Sequence, residues 1–280
     1  MLQNIENYKK KKQFLVCVDS DGCAMDTMDI KHKKCFGPCL IETWNLQQWE
    51  DEILNRWCEI NLYSELRGIN RFKGLAIALK EINETYIEIE ALDSFLSWVE
   101  ATKELSNESL MEQISMSPTV CLQRALQWSE NLNKKIKELM PEEKLPFDHV
   151  KEALKQIHPY ADIAIVSSAN YEAVREEWSD NGLLDHIDLL LSQSIGSKSH
   201  CIHELLAKGY DLDHVIMIGD APGDEKAADE NRVLFYPILV RQEAKSWKEF
   251  SEHGFEKFIN QKFGDIAVCY KQKFYENLKK

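Results

Sequence analysis

The sequence predicts an α/β fold: a Rossmann-like parallel sheet with helices on both faces, plus a separate all-α domain inserted into it. Three observations carry this. The runs Phe14–Val18, Ile163–Val166 and Val215–Ile218 are short, apolar and rich in branched residues, as buried parallel strands are. Helical patterns at Tyr171 to Asn181, His200 to Lys208 and Asp224 to Asn231 alternate with the later runs, as in βαβ units. From about Asp26 to Glu143 apolar residues recur at helical spacing, with little strand signal.

The first run ends in Asp19-Ser-Asp21-Gly22. Strand side chains alternate faces, so both acids point the same way if the strand continues. Gly22 breaks the strand and lets the chain loop back. Two acids this close repel, and a divalent cation or a shared proton resolves the repulsion. The pair suggests a nucleophile and an acid/base working at a bound metal. A solvated surface pair is the alternative reading of so short a motif.

The inserted stretch shows helical spacing in Leu46, Trp49, Ile53, Trp57 and Ile60, again in Leu92, Phe95, Leu96 and Val99, and in Leu122, Ala125, Leu126 and Trp128. Pro141 and Pro146 mark its exit. The expected division is 1–25 with 147–280 for the sheet domain and 26–146 for the helical one. Within the insert, Leu66 to Gly74 reads as a basic, glycine-bounded loop. Its Arg67, Arg71 and Lys73 can meet a second anionic group on a substrate, or pair with surface acids.

The second run leads into Ser167-Ser168-Ala169-Asn170. A hydroxyl at a strand tip beside free N–H groups at a helix start suits a phosphate oxygen, although it also suits a simple helix cap. Lys198 follows in a Gly/Ser loop and can reach a phosphate or neutralise a crowded carboxylate; a solvated lysine is the alternative. The third run ends in Gly219-Asp220-Ala-Pro-Gly-Asp224, which adds two acids beyond a buried strand. Oxygen ligands in this number suit Mg²⁺. Val233–Tyr236 is a fourth strand candidate, and Trp247, Phe250, Phe255, Phe258 and Ile259 predict one or two C-terminal helices.

The 280 residues carry a net charge of -13, which argues against a general nucleic-acid binder. No apolar stretch approaches the roughly 18 residues needed to span a bilayer. Met1 to Lys12 is polar and lysine-rich, without a signal-peptide core. The eight cysteines show no dense spacing, and neither His32/Cys35/Cys39 nor His200/Cys201/His203 has a second pair at zinc-finger spacing. A cytoplasmic protein with reduced thiols is expected.

The order D-x-D-G, strand-tip Ser, Lys, then G-D-x-x-x-D resembles the haloacid dehalogenase superfamily of phosphohydrolases. The helical insertion after the first motif resembles the cap of its members. The resemblance implies Asp19 as nucleophile and Asp21 as acid and then base. It implies Ser167 and Lys198 as phosphoryl binders, with Ser168 beside them. Mg²⁺ would be held by Asp19, the Asp21 main-chain carbonyl and Asp220, with Asp224 supporting the metal or Lys198. It also implies a small phosphorylated metabolite as partner, with neither nucleic acid nor membrane. One position departs: Cys23 stands where the family usually has threonine. Asp21 favours a phosphate ester, whose alkoxide needs a proton on leaving. A phosphomutase, or a non-catalytic binding protein of the same fold, remains the alternative.

Overall fold

The computed structural model describes residues 4–279. Met1–Gln3, part of the stretch read as lacking a leader, and Lys280 lie outside the described residues. Five parallel strands form one sheet in the order β3-β2-β1-β4-β5. They are β1 (Phe14–Val18), β2 (Ala161–Val166), β3 (Leu189–Leu191), β4 (Val215–Gly219) and β5 (Leu234–Pro237). β1 is central, paired with β2 on one side and β4 on the other. Every residue of β1 is buried, which explains its unbroken apolar run.

Helices cover both faces. Val16, Val18, Ile163, Ile165, Ile216 and Ile218 pack with Val150, Leu154, Trp178, Trp247 and Phe250. The alternate residues Leu15, Cys17, Ala164 and Met217 are equally buried. Helices Lys198–Leu206 and Pro222–Asn231 contact the sheet and each other. β3 was not expected from the sequence: its three residues are too short a run to stand out. The C-terminal region forms Glu243–Glu249, Phe255–Ile259 and the longer Gly264–Leu278.

The chain divides into two compact units, Met1–Met28 with Met140–Lys280, and Asp29–Leu139. The sequence placed these boundaries at 26 and 146. Residues 140–146 stay with the sheet unit because the outgoing and returning chains pair. Asp26 N–H donates to Leu145 O at 2.8 Å, and Phe147 N–H donates to Ala24 O at 3.0 Å.

The helical unit is all-α, with Trp57, Phe72, Phe95 and Trp128 fully buried in its core. Here one expectation is corrected. Residues 71–74 are not loop: they open the helix Arg71–Thr85, which Asn70 caps by accepting from Phe72 N–H at 2.9 Å.

At the start of β2 the fully buried Asp162 anchors the N-terminal segment. Its Oδ2 accepts from Lys11 N–H at 2.9 Å, Lys12 N–H at 3.0 Å and Tyr210 O–H at 2.6 Å. Tyr210 and Tyr8 share a further hydrogen bond of 3.0 Å. Asp162→Ala removes the acceptor of all three donors, the buried Tyr210 hydroxyl among them, and is expected to cost about 3 kcal/mol in urea denaturation at neutral pH.

Candidate active site

The site follows from the register. Val18 lies opposite Ile165 of β2 and Ile218 of β4. One step further along β1 comes Asp19, whose N–H donates to Ile218 O at 3.0 Å. Ser167 and Asp220 stand two residues past Ile165 and Ile218, so both align with Ser20. The three polar clusters therefore meet at the carboxyl ends of adjacent strands, where open α/β sheets bind ligands.

Lys198 completes the arrangement. It opens the helix Lys198–Leu206, which Ser197 caps by accepting from His200 N–H at 3.2 Å. The ammonium lies 2.8 Å from Asp19 Oδ1 and 2.6 Å from Asp224 Oδ1. Asn231 donates to Ser199 O at 2.9 Å and so ties this helix to Pro222–Asn231, which carries Asp224. The other oxygen of Asp224 accepts from Ala221 N–H at 3.0 Å. Gly219 is required by close approach, since a Cβ there would stand 2.3 Å from Asp224 Cγ.

Ligand oxygens of Asp19, Asp220 and Asp224 all lie within 4.8 Å of one another, and all three residues are buried. Three carboxylates face one ammonium. Burial raises the Asp19 pKa well above its ordinary value; Lys198 pulls it down, while Asp224 and Asp220 push it further up. For Lys198 burial favours the neutral amine, but Asp19 and Asp224 outweigh it and hold the ammonium above its usual range. This donor set fits a hard divalent cation such as Mg²⁺: all ligands are oxygens, and the cluster carries more negative charge than one lysine balances.

Asp21 is half-buried, and its carboxylate accepts from the hydroxyl of the fully buried Thr27. Gly22 adopts φ +80°, and its N–H donates to Met25 O at 2.9 Å, closing the loop after Asp21. Ser20 O accepts from Cys23, Ala24 and Met25 N–H groups. Cys23 is buried, and its Sγ lies 3.5 Å from Ile218 O. Burial first, then Asp220 and Asp19, push its thiol pKa up, which disfavours the thiolate.

The structure thus brings Asp19, Lys198, Asp220 and Asp224 into contact range. Ser167 is buried at the tip of β2, and its Oγ accepts from Ala169 N–H at 3.1 Å, while Ser168 is exposed. Arg67, Arg71 and Lys73 belong to the helical unit. Arg67 is buried and donates to Leu62 O at 2.8 Å. Arg71 donates to Asn133 Oδ1 at 2.7 Å and Ser129 Oγ at 3.2 Å, and Lys73 is exposed.

Three residues bond to the loop in ways the sequence does not show: Thr27, Trp178 and Trp247. Trp178 Nε1–H donates to Ser20 Oγ at 2.9 Å, and Trp247 Nε1–H donates to Cys23 O at 2.8 Å. Only a polar residue soon after the acid pair hinted at Thr27; nothing local marks the tryptophans.

The family described as haloacid dehalogenase-like hydrolase matches residues 91–236, just over half of the chain. The chain belongs to that family. Among solved structures, the haloacid dehalogenase-like chain resembles a hydrolase of the same family from Xanthomonas campestris, at 12% identity and a TM-score of 0.50, covering 91% of this chain and 96% of that one. It also resembles a provisionally named phosphoglycolate phosphatase from Lactobacillus delbrueckii, at 15% identity and a TM-score of 0.52, covering 82% and 87%. At these identities the likeness concerns the fold. No curated protein matches by sequence.

The raised pKa of Asp19 in this haloacid dehalogenase-like site gives a stability prediction. Its ordinary value is 3.8, and the folded carboxyl holds its proton more tightly. Stability at this group is therefore present at low pH and is lost as pH rises through the raised value. Without divalent cation, Asp19→Asn should be more stable than the parent in urea denaturation at neutral pH, the gap closing as pH falls towards the ordinary carboxylate range. Mg²⁺ should raise the melting temperature of the parent more than that of Asp19→Asn, which keeps Asp220 and Asp224 but loses one of the three clustered carboxylates.

Proposed function

We propose that the protein is a Mg²⁺-dependent phosphatase that hydrolyses a small phosphomonoester through an aspartyl-phosphate on Asp19. The observation that carries this is the Lys198 ammonium held between Asp19 and Asp224 beside a third buried carboxylate, Asp220. Phosphoryl transfer asks mainly for positioning and charge neutralisation, and the cluster offers both.

A carboxylate oxygen of Asp19 forms a bond to phosphorus as the ester P–O bond breaks. The electron pair goes to the leaving oxygen, which takes a proton from the Asp21 carboxyl. The Asp21 carboxylate then takes a proton from water, whose oxygen bonds to phosphorus. The bond between phosphorus and Asp19 breaks, releasing phosphate and restoring the carboxylate. Mg²⁺, held by Asp19, Asp220, Asp224 and the Asp21 main-chain carbonyl, would neutralise charge on the phosphoryl oxygens. Lys198 and Ser167 bind those oxygens, with Ser168 at the edge. A halide departs without a proton, so the acid at position 21 supports an ester substrate over a carbon–halogen one.

The helical unit is read as the cap that sets specificity. Among the described residues the Arg71 guanidinium bonds to neutral partners, Ser129 and Asn133, and lies 5.9 Å from the Phe36 ring centroid. A cation among neutral groups favours an anionic group on the substrate, while Arg67 is committed to a main-chain carbonyl. The setting inferred is the cytoplasm, with a phosphorylated metabolite as partner and neither nucleic acid nor membrane. The net charge of -13 supports this, and no helix among the described residues is long and apolar enough to cross a membrane.

Release of phosphate from p-nitrophenyl phosphate should require Mg²⁺ and should fall by a factor of about 10⁴ or more in Asp19→Asn. No release from a broad panel of phosphate esters would overturn the reading, and transfer to a second hydroxyl without release would point to a mutase. In that panel, Arg71→Met should lower kcat/KM about tenfold for phosphorylated acids and leave phosphorylated alcohols unchanged.

A further inference from the structure

Two indoles grip the first acidic loop from distant parts of the chain. Trp178 lies in the helix Tyr171–Asp180 and donates to Ser20 Oγ at 2.9 Å. Trp247 lies in the helix Glu243–Glu249 and donates to Cys23 O at 2.8 Å. Both rings, Ser20 and Cys23 are fully buried. The two bonds bracket Asp21 and Gly22.

The internal bonds of the loop and its external ones do different work. Ser20 O takes three N–H groups of the loop itself, and Gly22 N–H meets Met25 O. Those bonds set the shape of the turn. They do not set where the turn stands against the rest of the sheet unit. The main chain does part of that, through Asp19 N–H to Ile218 O, Phe147 N–H to Ala24 O and Asp26 N–H to Leu145 O; the indoles are the side chains that hold the stretch around Asp21 itself. A phenylalanine would fill much of the same space, but it would leave the buried Cys23 carbonyl without its indole donor.

We propose that Trp178 and Trp247 are positioning residues, which hold the turn so that the Asp21 carboxyl meets the leaving oxygen as the ester bond breaks. This rests on the phosphatase reading above. Proton delivery matters most where the leaving group is a poor one. An alkoxide must be protonated as it departs, whereas dinitrophenolate leaves unaided.

The experiment compares kcat/KM of Trp178→Phe, Trp247→Phe and Ser20→Ala on 2,4-dinitrophenyl phosphate and on a simple alkyl phosphate, with Mg²⁺ present. Ser20→Ala removes the acceptor of Trp178 while keeping the ring, so it serves if an indole variant folds poorly. Each variant should keep activity on the dinitrophenyl ester within about twofold and lose about 10- to 100-fold on the alkyl ester. Asp21→Asn should show the same dependence more steeply. Equal losses on both esters in the three variants, with a steep Asp21→Asn, would overturn the positioning role alone. A flat Asp21→Asn would overturn the acid role of Asp21, and this proposal with it.

Discussion

The sheet unit is organised around one ammonium. Lys198 sits between Asp19 and Asp224, with Asp220 close by, in a place where water is nearly excluded. Buried carboxylates at this spacing repel one another, and a single lysine balances only part of their charge. The surroundings are built to keep the group together. Asn231 ties the helix of Lys198 to the helix of Asp224. The missing side chain at Gly219 lets Asp224 close on the tip of β4. What remains is an excess of negative charge on oxygen donors, and that excess is the chemical basis for a cation in the site.

The opposite end of β2 shows the contrast. Asp162 is as buried as Asp224, yet one of its oxygens takes three donors, two from the main chain. Those donors tie the N-terminal segment and Tyr210 to the start of β2. At the carboxyl end of the sheet, Asp19 and Asp224 instead share one ammonium, with Asp220 within 4.8 Å. The same residue type is thus a structural anchor at one end of the sheet and a ligand donor at the other.

Legibility in the sequence followed the range of the interactions. β1 and β4 were readable because a doubly covered parallel strand needs an unbroken apolar run, and the acids stand directly after those runs. β3 was not, since Leu189–Leu191 owes its strand to pairing with Ala164–Val166. The segment after Gly68 misled for a specific reason. Gly74 looks like a loop boundary, but it lies inside the helix Arg71–Thr85, where the Asn61 side chain leaves no room for a Cβ. Asn70 was the local sign of a helix start. Trp178 and Trp247 could not be read, because their partners lie 158 and 224 residues away.

Cys23 shows how such distant contacts bear on local motif rules. A thiol in place of the usual threonine removes a strong hydroxyl from the loop. In the structure the side chain at 23 makes one sulfur contact, to Ile218 O at 3.5 Å. The main-chain carbonyl of the same residue takes the stronger bond, from Trp247 at 2.8 Å. The hydroxyl that reaches Asp21 comes instead from Thr27, four residues further on. The loop around position 23 is thus held through a backbone acceptor bound by an indole, while a hydroxyl further along the chain reaches Asp21. A motif position can then change chemistry while the loop keeps its shape, because the constraint acts on the backbone and is supplied from outside the motif.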